Sequence, residues 1–333
     1  MNRTTLTSNM PRRNLSLLAP RAEFVLGVDG GGTRTRAVIM DGYRRLLGSG
    51  TAGASNPMRV GVASAASEVR RAIDEACRAA NIAHERIAWA EIGLAGVRAC
   101  GMRERMSEAL AGLSVGALEI VTDAEIALFG ATAGEPGIVV IAGTGSVCLG
   151  RNRCGATAWA GAWGPLAGDE GSGAWIARQA LQRIARATDG RGAATALTAC
   201  ALDYFGIKAI EDLTSAIYHA DMTNERLAGF GRAVVSAAQN GDVVALEILR
   251  AGGAELGVMA ATVIRKLKLE TTHVSVAYTG GVFEAGELVL GALRDEIKKV
   301  APEHTLMRPR LAPALAAAYM AHASLHSYAL LAG

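Results

Sequence analysis

The feature that most constrains the fold is a glycine-rich turn placed between two strands. Residues 24–28 form an apolar run that ends at Asp29, three glycines and Thr33, and residues 35–40 resume a strand-like pattern. Glycines let the backbone N–H groups of such a turn converge on an anion without a Cβ in the way. The GxGxxG and GxxxxGK[ST] loops both lead into a helix instead, and the glycines of this turn fit neither spacing. Residues 29–33, the first glycine loop, therefore predict an anion-binding β-hairpin.

The same order recurs in the second half of the chain. An apolar run at 138–141 ends in Gly143-Thr144-Gly145-Ser146, the second glycine loop, and strand-like residues 147–150 and 157–160 follow. Helical spacing follows each copy, at residues 64–81, 172–187, 227–239 and 243–268. The repeat predicts a duplicated α/β architecture whose glycine loops face each other across a cleft between two lobes.

The repeat also sets the expected domain boundaries. The first lobe takes residues 22–121 and the second lobe takes residues 122–314, after a disordered tail at 1–21. The last apolar helix, at 315–331, is expected to return and complete the first lobe. No segment rich in Pro and Ser separates the lobes, so short hinges should connect them.

Composition excludes several classes of protein. Half of the 333 residues are hydrophobic, which suits two domains with sizeable cores. The net charge of +3, the absence of a long Lys/Arg stripe and the few aromatics argue against a nucleic-acid partner. No apolar run approaches the roughly 20 residues that span a bilayer. Five cysteines without a CxxC pair favour a reducing cytoplasm over a disulfide framework.

Two carboxylates of the first half are placed for chemistry. Asp29 ends a buried strand, where it can hold a hydrated Mg²⁺ against phosphates bound by Gly31, Gly32 and Thr33. Asp123 follows the apolar run 118–121, and a carboxylate at the carboxyl end of a strand faces the ligand crevice of an open α/β sheet. It can act there as a general base. The alternatives are an ordinary hairpin that Asp29 caps, and a helix starting near residue 124 that Asp123 caps.

Two further segments of the second half suggest ligand contacts. The stretch 161–172 surrounds Trp163 with glycines and carries Asp169 and Glu170, a combination suited to a sugar ring and its hydroxyls. Gly280 and Gly281 follow the buried strand 274–278 and would let an adenosine lie against backbone. The alternatives are a loop leading into a helix whose N-terminus favours acids, and a helix-start turn.

Together these segments resemble the BadF/BadG/BcrA/BcrD ATPase family and, within it, the N-acetylglucosamine kinases. The resemblance implies duplicated actin-like (ribonuclease H-like) domains, ATP and Mg²⁺ as cofactors, and a small amino sugar as substrate. It implies that Asp123 deprotonates the sugar 6-hydroxyl, that Thr33 and Thr144 with Gly145 contact phosphates, and that Gly280 and Gly281 contact adenosine. The sugar contacts that it implies are Asn56, Ser146, Trp163, Gly164 and Asp169.

Some residues depart from the family pattern. Val147 stands where a polar residue is frequent, and Ala162 stands where the kinases commonly carry glycine. The family also includes ATPase activators of CoA-linked dehydratases and reductases, which need cysteine thiolates at an iron–sulfur cluster. Cys148 and Cys154, on a predicted hairpin, match that need poorly. A non-catalytic sugar sensor is the other alternative. Dimers are common among similar proteins, and the sequence leaves the choice of amino sugar open.

Overall fold

The computed structural model describes residues 24–332, so the predicted tail at 1–21 lies outside the described part. The chain forms two five-stranded sheets. The first contains β1 (Phe24–Gly30), β2 (Thr35–Asp41), β3 (Leu46–Ala52), β4 (Ile87–Leu94) and β5 (Ala117–Thr122). The second contains β6 (Gly137–Ala142), β7 (Ser146–Arg151), β8 (Thr157–Gly161), β9 (Val274–Thr279) and β10 (His304–Met307).

The two sheets have the same topology. In the first, β1, β2 and β3 form an antiparallel meander, and β4 and β5 continue parallel on the other side of β1, giving the order β3-β2-β1-β4-β5. In the second, β6, β7 and β8 form the meander, and β9 and β10 continue parallel beside β6. The predicted duplicated α/β architecture is therefore confirmed.

The helices fill the connections of each sheet. The first half contains α1 (Pro57–Val60), α2 (Val62–Ala80), α3 (Met102–Leu110) and α4 (Asp123–Thr132). The second half contains α5 (Gly173–Thr188), α6 (Leu197–Phe205), α7 (Leu213–Ile217), α8 (Asn224–Gly229), α9 (Gly231–Gln239), α10 (Val243–Leu267), α11 (Glu287–Lys298) and α12 (Pro313–Ala332). None of the helices among residues 24–332 is both long and apolar enough to cross a bilayer.

The single helix predicted across 227–239 is wrong in one respect. Two helices, α8 and α9, meet there at Phe230. The Phe230 N–H bonds the Leu227 carbonyl at 3.0 Å, three residues back, which tightens the turn. The tightening places the fully buried Phe230 ring against Tyr204 and Phe205, a tertiary contact that the local pattern does not contain.

Helix α12 returns to the first sheet, where it packs on β1, β2 and β4. Gly27 makes this close approach possible, since a Cβ at that position would lie 2.1 Å from the backbone nitrogen of Ala318. Helix α4 contacts α12 on one side and strands β6, β7 and β9 of the second sheet on the other. These two helices therefore lie between the sheets and join the two halves. The exact boundaries at 22–121 and 122–314 stay predictions.

Candidate functional site

The first glycine loop turns directly after β1. The Gly31 N–H donates to the Arg34 carbonyl at 3.0 Å and closes the hairpin, while Thr33 at its tip is exposed. The Gly31 carbonyl accepts the N–H groups of Ser55 at 3.0 Å and Asn56 at 3.1 Å. These bonds attach the segment after β3 to the loop. Asn56 therefore lies beside the candidate phosphate-binding loop.

Asn56 is also in contact with the loop that follows β4. Its side chain caps α1, with Oδ1 accepting the Met58 N–H at 3.0 Å. A Cβ on Gly96 would lie 2.4 Å from the same Oδ1, so only glycine allows this approach. Asn56, predicted as a sugar contact, therefore lies where the first glycine loop and the β4–α3 loop converge.

Asp29 and Asp123 lie near each other at the carboxyl ends of the first sheet. Asp29 is in register with Gly93 on β4, and Asp123 follows β5, the strand on the other side of β4. Burial, followed by the charge of Asp123, raises the pKa of Asp29 to about 6, against the lowering effect of Arg34 and Arg36. Burial is also the main cause that raises the pKa of Asp123. The two carboxylates repel each other in a poorly solvated space, which favours a cation or an acquired proton there.

The helix that starts at Asp123 is capped by its neighbour. Thr122, rather than Asp123, is the N-cap of α4, and it forms a capping box with Glu125. The Asp123 carboxylate accepts the Ala124 N–H at 2.9 Å and is also bonded to its own backbone N–H. The capping alternative for Asp123 is therefore wrong. Its side chain is left for another role.

The second glycine loop is attached to the start of α5. The Gly143 N–H bonds the Gly145 carbonyl at 2.9 Å, and the Gly143 carbonyl accepts the Gly173 N–H at 2.8 Å. Asp169, buried and in the left-handed region with φ 57°, accepts the Ser146 N–H at 3.2 Å. The Ser146 hydroxyl donates to the Glu170 carbonyl at 2.7 Å. The loop, Ser146 and Asp169 thus form one unit, in which burial raises the pKa of the Asp169 carboxyl.

Gly280 brings the candidate adenosine segment to the same unit. Its φ is 113°, and a Cβ there would lie 2.2 Å from the Ala142 carbonyl oxygen, at the end of β6. Trp163 lies against Gly168, the residue before Asp169, since a Cβ on Gly168 would be 2.9 Å from the Trp163 Cβ. The Trp163 side chain is 72% exposed, and Leu166 in the same loop is fully exposed. The partly buried Gly164 (φ 80°) lies between them.

Two arginines that the sequence analysis did not single out connect the lobes. Arg59, on α1, donates to the Gly32 carbonyl at 3.1 Å and pairs with Glu225 of α8 at 2.7 Å. Arg98, after β4, donates to the Gly161 carbonyl at 3.3 Å and lies over the Trp159 ring at 5.0 Å. Neither arginine belongs to a motif, and their partners are far away in sequence. No local signal could have found them.

The two sheets have the same topology, each carries a glycine loop after its first strand, and α4 and α12 join them. This architecture is a two-domain α/β ATPase fold shared with sugar kinases. The profile of the BadF/BadG/BcrA/BcrD ATPase family matches residues 26–321, and the chain belongs to this family. The family resemblance drawn from the motifs is thereby confirmed.

Named relatives are amino-sugar kinases. An N-acetylmuramic acid/N-acetylglucosamine kinase of Clostridium acetobutylicum is 33% identical over 282 residues, 83% of this chain and 90% of its own. An N-acetyl-D-glucosamine kinase of Dictyostelium discoideum is 30% identical over 90% of this chain and 98% of its own. A crystal structure from Chromobacterium violaceum, provisionally described as an N-acetylglucosamine kinase, aligns with a TM-score of 0.75 and 28% identity. The alignment covers 90% of this chain and 99% of that protein.

Proposed function

We propose that the chain transfers the γ-phosphoryl group of ATP to the 6-hydroxyl of an amino sugar, with N-acetyl-D-glucosamine first and D-glucosamine next. The observation that carries the proposal is the Asp123 carboxylate, poorly solvated at the start of α4 and close to Asp29 beside the first glycine loop. The family membership and the names of the relatives support the same reaction.

Asp123 is the proposed general base. A carboxylate whose pKa is raised by burial is a stronger proton acceptor than one in water. It takes the proton of the 6-hydroxyl as the sugar oxygen forms a bond to the γ-phosphorus. The bond between that phosphorus and the oxygen bridging to the β-phosphate breaks, and ADP leaves.

The nucleotide is proposed to bind between the two glycine loops. Gly32 and Thr33 offer donors from one lobe, beside Gly31, whose N–H closes the hairpin, and Thr144 and Gly145 offer them from the other. Gly280 and Gly281, beside the end of β6, leave room for adenosine. Donors on both sides of a cleft suit a triphosphate, whose charge is spread along its length.

Asp29 fits a Mg²⁺ site. Its carboxylate and that of Asp123 repel each other, and Mg²⁺ usually binds one or two protein carboxylates with waters and substrate phosphates. Within residues 24–332 no group of three or more His, Cys, Asp and Glu side chains could hold a metal alone, which agrees with a site completed by phosphate. Bound there, Mg²⁺ would supply positive charge that neutralises the phosphates.

The sugar is proposed to lie between Asn56 of the first lobe and Asp169 of the second. Ser146 uses its N–H and its hydroxyl within the second lobe, so its role is to fix Asp169 and to accept from the sugar. Trp163 and Gly164 would cover the ring, with the indole as an apolar face.

The iron–sulfur alternative is poorly supported by the thiols. Cys148 lies in the core of the second lobe, where burial raises its thiol pKa and keeps it protonated. Cys154 is exposed beyond the end of β7. All five cysteines are free thiols, and we propose the reducing cytoplasm as the compartment.

The test is ADP release coupled to a reporter, with ATP and MgCl₂, across glucose, glucosamine, N-acetylglucosamine, N-acetylmannosamine and N-acetylmuramate. We expect sugar-dependent turnover that is fastest with N-acetylglucosamine, and ³¹P NMR should locate the phosphate on the 6-oxygen. ATP hydrolysis at the same rate with and without each sugar would contradict the proposal and favour an ATPase activator of a CoA-linked enzyme. Sugar binding without turnover would favour a non-catalytic sugar sensor.

A further inference from the structure

Arg59 contacts both lobes at once. Its Nη1 donates to the Gly32 carbonyl at 3.1 Å and lies 2.7 Å from Oε1 of Glu225. A Cβ at Gly32 would lie only 2.5 Å from that nitrogen, so the guanidinium rests directly on the first glycine loop. Glu225 belongs to the first turn of α8, whose N-terminus is capped by Thr223. The ion pair therefore joins the first glycine loop to α8 of the second lobe.

Helix α8 is in turn packed against the second glycine loop. Gly173, the first residue of α5, lies against Ala228 of α8, since a Cβ on Gly173 would be 3.3 Å from the Ala228 Cβ. The Gly173 N–H bonds the Gly143 carbonyl at 2.8 Å. Contacts thus run without interruption from Gly32 through Arg59, Glu225 and Ala228 to the second loop. This is a short mechanical path between the two proposed phosphate-binding loops.

The Arg59–Glu225 pair is better suited to positioning the two glycine loops than to stabilising the fold. The side chains of Arg59 and Glu225 are 37% and 33% exposed, and ion pairs with this exposure contribute little to folding. Their partners, however, are the two elements whose separation sets how a triphosphate fits between the loops. If nucleotide binding needs the two glycine loops at a fixed separation, even a weak contact that holds this separation changes nucleotide affinity.

We propose that the Arg59–Glu225 pair is a positioning device that holds the first glycine loop against α8 and so sets nucleotide affinity. The reaction assigned to the nucleotide rests on the proposed function, but nucleotide binding by itself does not require a sugar. The pair acts through Gly32 and α8 and is not assigned a contact with the reacting atoms.

The test is calorimetric titration of ADP and of a non-hydrolysable ATP analogue, with MgCl₂, into the full chain. Glu225→Gln should weaken binding about threefold to fivefold, as loss of a partly exposed ion pair implies. Arg59→Met, which also removes the bond to Gly32, should weaken it about tenfold. The Glu225→Gln effect should vanish in the Arg59→Met background, because the two residues act as one unit. All of these losses should shrink when NaCl is raised from about 0.05 to 0.5 M.

The matched control is the Arg183–Glu247 pair, at 3.5 Å between two helices of the second lobe. Arg183→Met and Glu247→Gln should leave nucleotide affinity unchanged, and all variants should unfold within a few degrees of the wild type. Unchanged affinity in Arg59→Met, or additive losses in the double variant, would overturn the proposal. A chain that binds nucleotide in this pattern but phosphorylates no sugar would refute the proposed function and leave the positioning pair standing.

Discussion

At the scale of single residues, the chemistry depends on how poorly water reaches two carboxylates. Asp29 and Asp123 end or follow strands flanking β4, and burial is the first cause of the raised pKa in both. Their roles separate by position. Asp29 lies beside the loop that is proposed to bind phosphates, while Asp123 lies at the start of α4, where its carboxylate accepts the N–H of Ala124 and its own backbone N–H. Asp29 is therefore placed to bind a cation, and Asp123 is placed to accept a proton.

Asp123→Asn is expected to fold normally and to lose about 10²–10⁴ in kcat with N-acetylglucosamine. Asparagine can still accept the Ala124 N–H, so the helix start is kept while the base is removed. Steady-state kinetics and a thermal melt measure the two effects.

Asp242→Asn is the control for that change. Asp242 caps α10, and its carboxylate accepts the N–H groups of Ala245 and Ala196, which hold its pKa below the ordinary value. The control should lose some stability and keep its kcat, because the cap is outside the candidate site. Near-normal turnover in Asp123→Asn would remove the residue from the mechanism.

At the scale of elements, the loop between β8 and α5 is the part with the most exposed apolar surface near the site. Trp163 is 72% exposed, while Trp89 is buried and Trp159 and Trp175 are partly buried. If the sugar covers the Trp163 ring, amino-sugar binding should shift tryptophan emission to the blue. Trp163→Phe should abolish that shift and raise the KM for the sugar roughly threefold to tenfold.

Trp175→Phe is the matched control, since its ring packs against the core of the second lobe. That variant should keep both the shift and the KM. A shift that persists in Trp163→Phe would mean that the loop does not cover the sugar.

Docking of α12 on the first sheet is a second property of elements, and Gly27 tests it. Its missing side chain leaves room for the backbone of Ala314, Ala317 and Ala318, all within 2.7 Å of where a Cβ would lie. Gly27→Ala should therefore destabilise the chain by about 3 kcal/mol or more, because backbone cannot yield as a side chain can. Chemical denaturation measures the loss.

Gly291→Ala provides the opposite expectation at a helical glycine. It lies in α11, and its added Cβ would meet only Glu287 Oε2, at 3.8 Å. The change should stabilise the protein by about 0.5–1 kcal/mol. If both variants melted like the wild type, the tight packing of α12 on β1 would be wrong.

The elements also show what the sequence could predict. Local sequence patterns specify the glycine loops, the strands around them and the long helix α10. Their order and most of their bounds could therefore be predicted from residues close in the chain. The break at Phe230 did not, because its cause is a ring packed against α6. For the same reason the local sequence does not indicate Arg59 and Arg98, because each contacts a partner in the other lobe. The expected dimer stays a prediction.

At the scale of the whole molecule, the first sheet carries an unusual buried group. Glu91, on β4, has no exposed surface, and its Oε1 has no hydrogen-bond partner among residues 24–332. The Trp89 indole N–H donates to Oε2 at 3.3 Å, and the Ser324 side chain of α12 is also bonded to the carboxyl. Burial, followed by the charge of Glu119, raises the pKa of Glu91 to about 8, and Glu125 adds to it. Folding of the first sheet with α12 therefore keeps Glu91 protonated at neutral pH.

The sign of the resulting pH dependence follows from proton uptake. Glu91 titrates near 4.5 when unfolded and near 8 when folded, so the folded chain binds the extra proton between these values. Its contribution to stability is complete below about pH 4.5 and is lost as the pH rises towards 8. Glu91→Gln removes this dependence because the amide stays neutral. From pH 5.5 to 8.5 the variant should therefore gain on the order of 2–4 kcal/mol relative to the wild type.

Urea unfolding at several pH values measures that gain, with Glu287→Gln as the control. Glu287 is exposed, and its hydrogen bonds to Arg294 hold its pKa below the ordinary value, so its contribution to stability is lost only as the pH falls into the acid range. The difference between that control and the wild type should stay flat from pH 5.5 to 8.5. A flat difference for Glu91→Gln as well would show that Glu91 is ionised in the folded protein, and that water or a cation reaches the space between β4 and α12.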